Sequence, residues 1–164
     1  FLENHIPYTL NPGGPNHEEL SSLIGISEYF ENLYNHHYNQ NNFPILDKMQ
    51  IINNLICKHE EIIASKLLDY INTKKKIRLI GKKTIKKRNR VPTISFTIDG
   101  MTSKEVSNSL ISYGIAIRND NFYAWRCLDA LGIDTKDGVI RASMVHYNNI
   151  EDVEKIIVAI DKTL

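Results

Sequence analysis

The chain has 164 residues, 42% of them hydrophobic and 24% charged, with a formal net charge of +1. Such a composition builds one domain or slightly more with a real core, and its apolar runs are broken by charge well short of the ~20 residues needed to cross a bilayer. Two cysteines, Cys57 and Cys127, far apart and without C-x-x-C spacing, argue against a disulfide framework or a zinc site, so no metal is expected and both thiols read as buried and inert.

Asn11-Pro-Gly-Gly-Pro-Asn16 is a turn cluster, and Asn16 with Glu19 three positions on makes a helix start. Leu20, Leu23, Ile24, Phe30, Leu33 and Tyr34 then recur at helical spacing, and the helix is expected to end near 39–42 and Pro44. A longer helix is predicted from about Leu46 to Asn72 on Met49, Ile52, Ile56, Ile63, Leu67 and Tyr70, with Asp47 early and Lys74 to Lys76 late, in accord with its dipole. Shorter elements follow. Ile77–Ile80 and Thr93–Ile98 read as strands, and Thr102 with Glu105 caps a helix carrying Val106, Leu110 and Tyr113, which Gly114 ends. Ile115–Arg118 reads as a strand, Ala124–Leu131 as a short helix closed by Gly132, and Val139–Val145 as a strand. Val153, Ile156, Ile157 and Ile160 give a final helix one apolar face. The expected class is α+β, a small mixed β-sheet covered by helices on one side and preceded by two longer helices. Three parts follow: 1–45 (turn plus helix), 46–76 (connecting helix) and 77–164 (small α+β domain).

The run Gly138-Val-Ile-Arg-Ala-Ser-Met-Val-His-Tyr-Asn-Asn149 puts Arg141 inside an otherwise apolar strand. A guanidinium there either meets a core acid, such as Asp99 or Asp152, or points into a cavity built for a carboxylate, because burying it unpaired is costly. Arg141-Ala142-Ser143 followed by Tyr147-Asn148-Asn149 resembles the C-terminal end of class V aminotransferases, the pyridoxal 5'-phosphate (PLP) group that includes cysteine desulfurases. The resemblance implies that Arg141 forks onto the α-carboxylate of an amino-acid substrate, a bidentate geometry lysine cannot reproduce.

Two further stretches extend the resemblance. Asn11–Asn16 is similar to a family turn lying near the cofactor phosphate of the neighbouring subunit, which implies cofactor-binding roles for Gly13, Gly14 and Asn16. Two glycines admit a close backbone approach, and a helix start offers free N–H groups. At Gly14 the family commonly has threonine, so a side-chain donor is lost; a plain Gly-Pro turn is the alternative. Arg118 matches an arginine just before the loop where cysteine desulfurases carry their nucleophilic cysteine, and it is taken as a second substrate-binding residue. Aligning from Gly114, that cysteine's place is held by Tyr123, and a phenol cannot take up sulfane sulfur. Cys127 follows four residues later, where a shifted loop could still present it, with a buried, inert thiol as the favoured reading.

In a fold type I PLP enzyme the cofactor-bearing lysine and the aspartate on the pyridine nitrogen come earlier than this sequence, which also opens on Phe1 rather than methionine. The resemblance therefore implies the C-terminal part of a longer enzyme, with residues 1–45 ending its cofactor-binding region. No catalytic residue is assigned to this chain, and alone it is expected to be inert and to hold no PLP. The whole enzyme is expected to be a homodimer acting on a small amino acid, by transamination, elimination, epimerisation or desulfuration. No signal-peptide pattern opens the sequence and no membrane span is expected, which points to a cytoplasmic protein.

A competing reading rests on charge. Residues 74–90 hold ten of the twenty Lys and Arg and no acid, so the remainder carries ten basic against nineteen acidic residues, a net of −9. A non-enzymatic α+β module could use this basic hairpin to grip nucleic acid or an acidic partner. The stretch has no aromatic residue for base stacking, which favours a solvated basic loop over nucleic acid. His17 lies beside the proposed phosphate turn, His36 and His37 diverge by about 100° on a helix and cannot converge on one ion, and His146 is undecided between site and sheet. Phe122, Tyr123 and Trp125 read as loop anchors packed on the sheet, with stacking on a ligand as the alternative.

Overall fold

Asn16 begins the first helix in the way its spacing to Glu19 predicts. In the computed structural model, which describes residues 13–38, 43–86 and 89–164, the Asn16 side-chain oxygen accepts the Glu19 backbone N–H at 3.1 Å. Helix α1 runs His17–His37. Asn11, Pro12, the expected helix end at 39–42, and Lys87 lie outside the described residues. Helix α2 spans Ile45–Thr73, one residue longer at each end than its apolar repeat indicates. The chain divides into two compact units, Phe1–Leu55 and Ile56–Leu164, so the division falls inside α2.

Within the first unit a buried cation is the main polar feature. Lys48 is only 6% exposed; its ammonium meets the Glu31 carboxylate at 2.6 Å and lies 5.4 Å from the centre of the Tyr34 ring. Such a charge is tolerated only because an anion and a ring face replace its water. Tyr34, the buried residue of α1, stacks in turn on Tyr38. By contrast Leu20, Leu23 and Ile24 of α1 are exposed.

In the second unit, β1 (Ile77–Ile80), β2 (Thr93–Ile98), β3 (Arg118–Asp120) and β4 (Val139–Ser143) form one sheet in the order β1-β2-β4-β3. The α+β class is as expected, but every neighbouring pair is antiparallel rather than mixed. The reason is topological. The crossover from β2 through α3 (Ser103–Ser112) does bring β3 parallel to β2, yet β4 inserts between them and runs against both.

Alternation along β2 buries Ile94, Phe96 and Ile98 and leaves Thr93, Ser95 and Thr97 half-buried. The apolar side joins one core with Ile63, Leu67 and Ile71 of α2, Val106 and Leu110 of α3, and Val153, Ile156 and Ile160 of α5 (Ile150–Thr163). Removing these side chains from water is the main stabilising term of the unit. The opposite face is not bare, which corrects the expected one-sided cover. Helix α4 (Trp125–Ala130) brings Leu128, with Ile133, against Val139, Ile80 and Phe122. Only a few apolar residues make this second cluster, too few to give a periodic signal in the sequence.

The strand expected at Ile115–Arg118 starts later, at Arg118. The preceding helix uses up the backbone in between: Gly114, at φ +77°, donates its N–H to Ile111 and Ile115 donates to Leu110. This pair of bonds closes the α3 C-terminus as a Schellman motif, so sheet pairing begins only after Ile117 has entered the core.

Candidate functional site

The period of two decides which residues of β4 meet the core. Ile140 and Ala142 are buried in the main core, so Val139, Arg141 and Ser143 face the other way. Register then lines up a row across that second face: Ser95 stands opposite Arg141 on one side and Arg118 opposite it on the other. Two like charges directly opposite on neighbouring strands repel. An anion between or beside them would relieve that repulsion.

Arg141 is half-buried. Its Nε is closed off from solvent with no hydrogen-bond partner, and its Cζ lies 3.9 Å from the centre of the Phe122 ring. Among the described residues no carboxylate pairs with either arginine. Asp99 is exposed. Asp152 serves the α5 capping box instead, accepting the Asn149 N–H at 3.2 Å and the Asn148 side-chain amide at 3.3 Å. Those bonds hold its carboxyl below the ordinary aspartate value. Beside the arginines runs an open groove of about 690 Å³, lined by Ile111, residues 114–117, Arg118, Arg141 and Ser143. Both sequence-derived substrate residues therefore share one groove.

The loop after β3 is held in an unusual backbone shape. Phe122 and Tyr123 have φ of +51° and +61°, a left-handed region that costs non-glycine residues about 1–3 kcal/mol each. Local bonds hold it there: the Asn121 side-chain oxygen accepts the Tyr123 N–H at 3.0 Å, and its amide donates to the Thr135 carbonyl at 3.3 Å. Of the three aromatics expected to anchor this loop, Phe122 packs on the sheet, while Tyr123 is 99% and Trp125 50% exposed. Cys127, expected to be buried, is exposed on α4, because that six-residue helix turns Leu128 inward instead.

His146 sits close enough to Glu60 of α2 to act on its charge. Burial raises the Glu60 carboxyl, and His146 and His59 pull it back down. His59 donates from Nε2 to the Asn148 carbonyl at 2.7 Å, tying α2 to the turn after β4. In the first unit nothing among the described residues lies within 4 Å of a Cβ built at Gly13 or Gly14. Asn16 spends its side-chain oxygen on the α1 cap, which leaves its amide as a donor. No group of His, Cys, Asp and Glu suited to a metal ion occurs among the described residues.

Sequence reasoning missed two features of this site. Phe122 as the partner of Arg141 leaves no periodic trace, whereas Ser143 in the groove wall was signalled by its strand spacing from Arg141.

An antiparallel sheet backed by three helices is a fold shared with solved cysteine desulfurase structures. Residues 45–156 match the family model Aminotransferase class-V, and the chain belongs to that family. It is 37% identical over 110 residues to an aminotransferase-like protein of Gibberella zeae, covering 66% of this chain and 27% of that protein. It is 28% identical over 109 residues to a probable cysteine desulfurase of Pseudomonas putida, covering 66% and 25%. Among solved structures, the cysteine desulfurase CsdA of Escherichia coli superposes with a TM-score of 0.64 at 23% identity, over 95% of this chain and 32% of that one. The chain thus spans about a quarter of the length of these relatives. No helix among the described residues is long and apolar enough to cross a membrane.

Proposed function

We propose that this chain is the C-terminal portion of a longer PLP-dependent, cysteine desulfurase-like enzyme acting on a small amino acid, to which Arg141 offers the fork for the α-carboxylate. One observation carries the reading: Arg141 is a half-buried arginine with no acid among the described residues and an open groove beside it. Its cross-strand neighbour Arg118 adds a second positive charge that draws an anionic ligand to the groove and disfavours cationic ones. In the full-length, PLP-loaded protein, Arg141→Lys is expected to weaken amino-acid binding by ~1–3 kcal/mol and leave the cofactor's absorbance unchanged. Unchanged binding in that variant overturns the role.

PLP, when bound, supplies an electron sink; positioning and charge come from the protein. Gly13 and Gly14 fit a phosphate approached by main-chain N–H groups, and the Asn16 amide, without an acceptor among the described residues, adds one side-chain donor. Glu18 and Glu19 in the first turn of α1 work against an anion there and lower its affinity. The cofactor-bearing lysine is assigned to the rest of the enzyme, and this chain by itself to no activity.

A phenol at Tyr123 cannot carry sulfane sulfur, so transamination or β-elimination is as well supported as desulfuration. We further assign the whole enzyme to the cytoplasm as a homodimer, for which light scattering at twice the monomer mass is the test. The division into 1–45, 46–76 and 77–164 stands as a proposal about how the longer protein is built.

A further inference from the structure

A half-buried guanidinium ordinarily takes an acid as partner, and an acid would cancel the charge that a carboxylate ligand needs. Arg141 has an aromatic ring in that place. The Phe122 ring centre lies 3.9 Å from Cζ, close enough for the ring's electron-rich face to stabilise the cation without neutralising it. We propose that Phe122 is a positioning residue for Arg141, holding the guanidinium in one plane with its charge uncompensated and its terminal N–H pair turned to the groove. The inference rests on the carboxylate role given to Arg141 above.

Three observations support it. Nε of Arg141 is closed off from solvent and unpartnered, so the end-on Nη pair is the edge left for a bidentate contact. Phe122 reaches the cation only through the left-handed turn at 122 and 123, which Asn121 pins through the Tyr123 N–H and the Thr135 carbonyl. The ring is also fixed from behind, packed against the cluster of Leu128, Ile133 and Val139. A strained turn whose side chain lands on a functional cation is a reason to look for a role in that contact. The dull alternative is that Phe122 only fills the second cluster.

Phe122→Leu separates the two, because leucine keeps the apolar bulk and loses the ring face; Phe122→Met replaces it if the leucine variant does not fold. In the full-length, PLP-loaded protein, the twenty L-amino acids are titrated by cofactor absorbance, and the tightest is paired with the amine that lacks its α-carboxylate. The leucine variant is expected to bind the amino acid about tenfold more weakly and the amine unchanged, with an unaltered melting temperature. Phe122→Tyr is expected to restore wild-type affinity. Equal loss for acid and amine, or no loss at all while Arg141→Lys still weakens binding, overturns the role of Phe122 alone. Affinity unaffected by Arg141→Lys, or no response to any of the twenty, overturns the carboxylate reading and this inference with it.

Discussion

Position 138 admits glycine alone. Gly138 enters β4 at φ +76°, and a Cβ there would lie 2.2 Å from the backbone carbonyl carbon of Asp120 on the neighbouring strand and 2.3 Å from its oxygen. Both strain and overlap would follow, so Gly138→Ala is expected to destabilise the protein by about 3 kcal/mol, read as a fall in the thermal midpoint. An unchanged midpoint would mean that β3 can move aside. Arg141 three positions later is the opposite case: its side chain was legible in the sequence because a charge among Val139, Ile140 and Ala142 demands an explanation. Which explanation holds was not legible, since the excluded acids, Asp99 and Asp152, and the ring of Phe122 are brought near or kept away only by the fold.

Helix ends in the second unit are written in short-range code. Thr102 and Glu105 form a full capping box at α3, and Asn149 and Asp152 form another at α5. Thr102→Ala is expected to cost about 1 kcal/mol in chemical denaturation. Both carboxylates titrate below their ordinary values of 4.5 and 3.8, because bonds from Thr102 and from Asn149 and Asn148 favour the charged form. A depressed folded-state value gives stability that is present above the ordinary value and lost as pH falls through the folded one. The melting temperature is therefore expected to drop as pH falls below these ordinary values, and to drop less in a Glu105→Gln, Asp152→Asn double variant. Equal slopes would show that other groups govern acid sensitivity. Strand boundaries were less legible than these caps: β3 begins at Arg118 because the Schellman bonds of Gly114 and Ile115 take the backbone first.

Across the whole molecule, charge and core explain different things. The basic stretch 74–90 is partly structural: Lys74 pairs with Asp161, Lys76 donates to the Leu164 carbonyl, Arg78 to that of Leu131, and Arg90 to those of Lys82 and Thr93. Ile85 in its middle is buried in the main core. These ties favour a held loop over a polyanion grip, which would bind with an affinity that collapses as salt rises. A salt titration against duplex DNA and RNA is expected to find no such affinity, and charge removal at Lys82, Lys83 and Lys86 to leave amino-acid binding unchanged. Loss of amino-acid binding in that triple variant would instead tie the loop to the site. In the core, Phe96 is fully buried on β2, one of the two inner strands, and Phe96→Ala is expected to cost about 3–5 kcal/mol in chemical denaturation.

The chain's own order of residues determined the helices, their caps, most strand positions and the suspicion attached to Arg141, because these depend on neighbours within a few positions. Tertiary structure alone decided that β4 slots between β2 and β3, that Arg118 and Arg141 therefore stand opposite each other, and that a ring rather than an acid covers Arg141. Those contacts join residues about 20 or more positions apart, and the period of a strand records which side a residue takes without recording what it meets there.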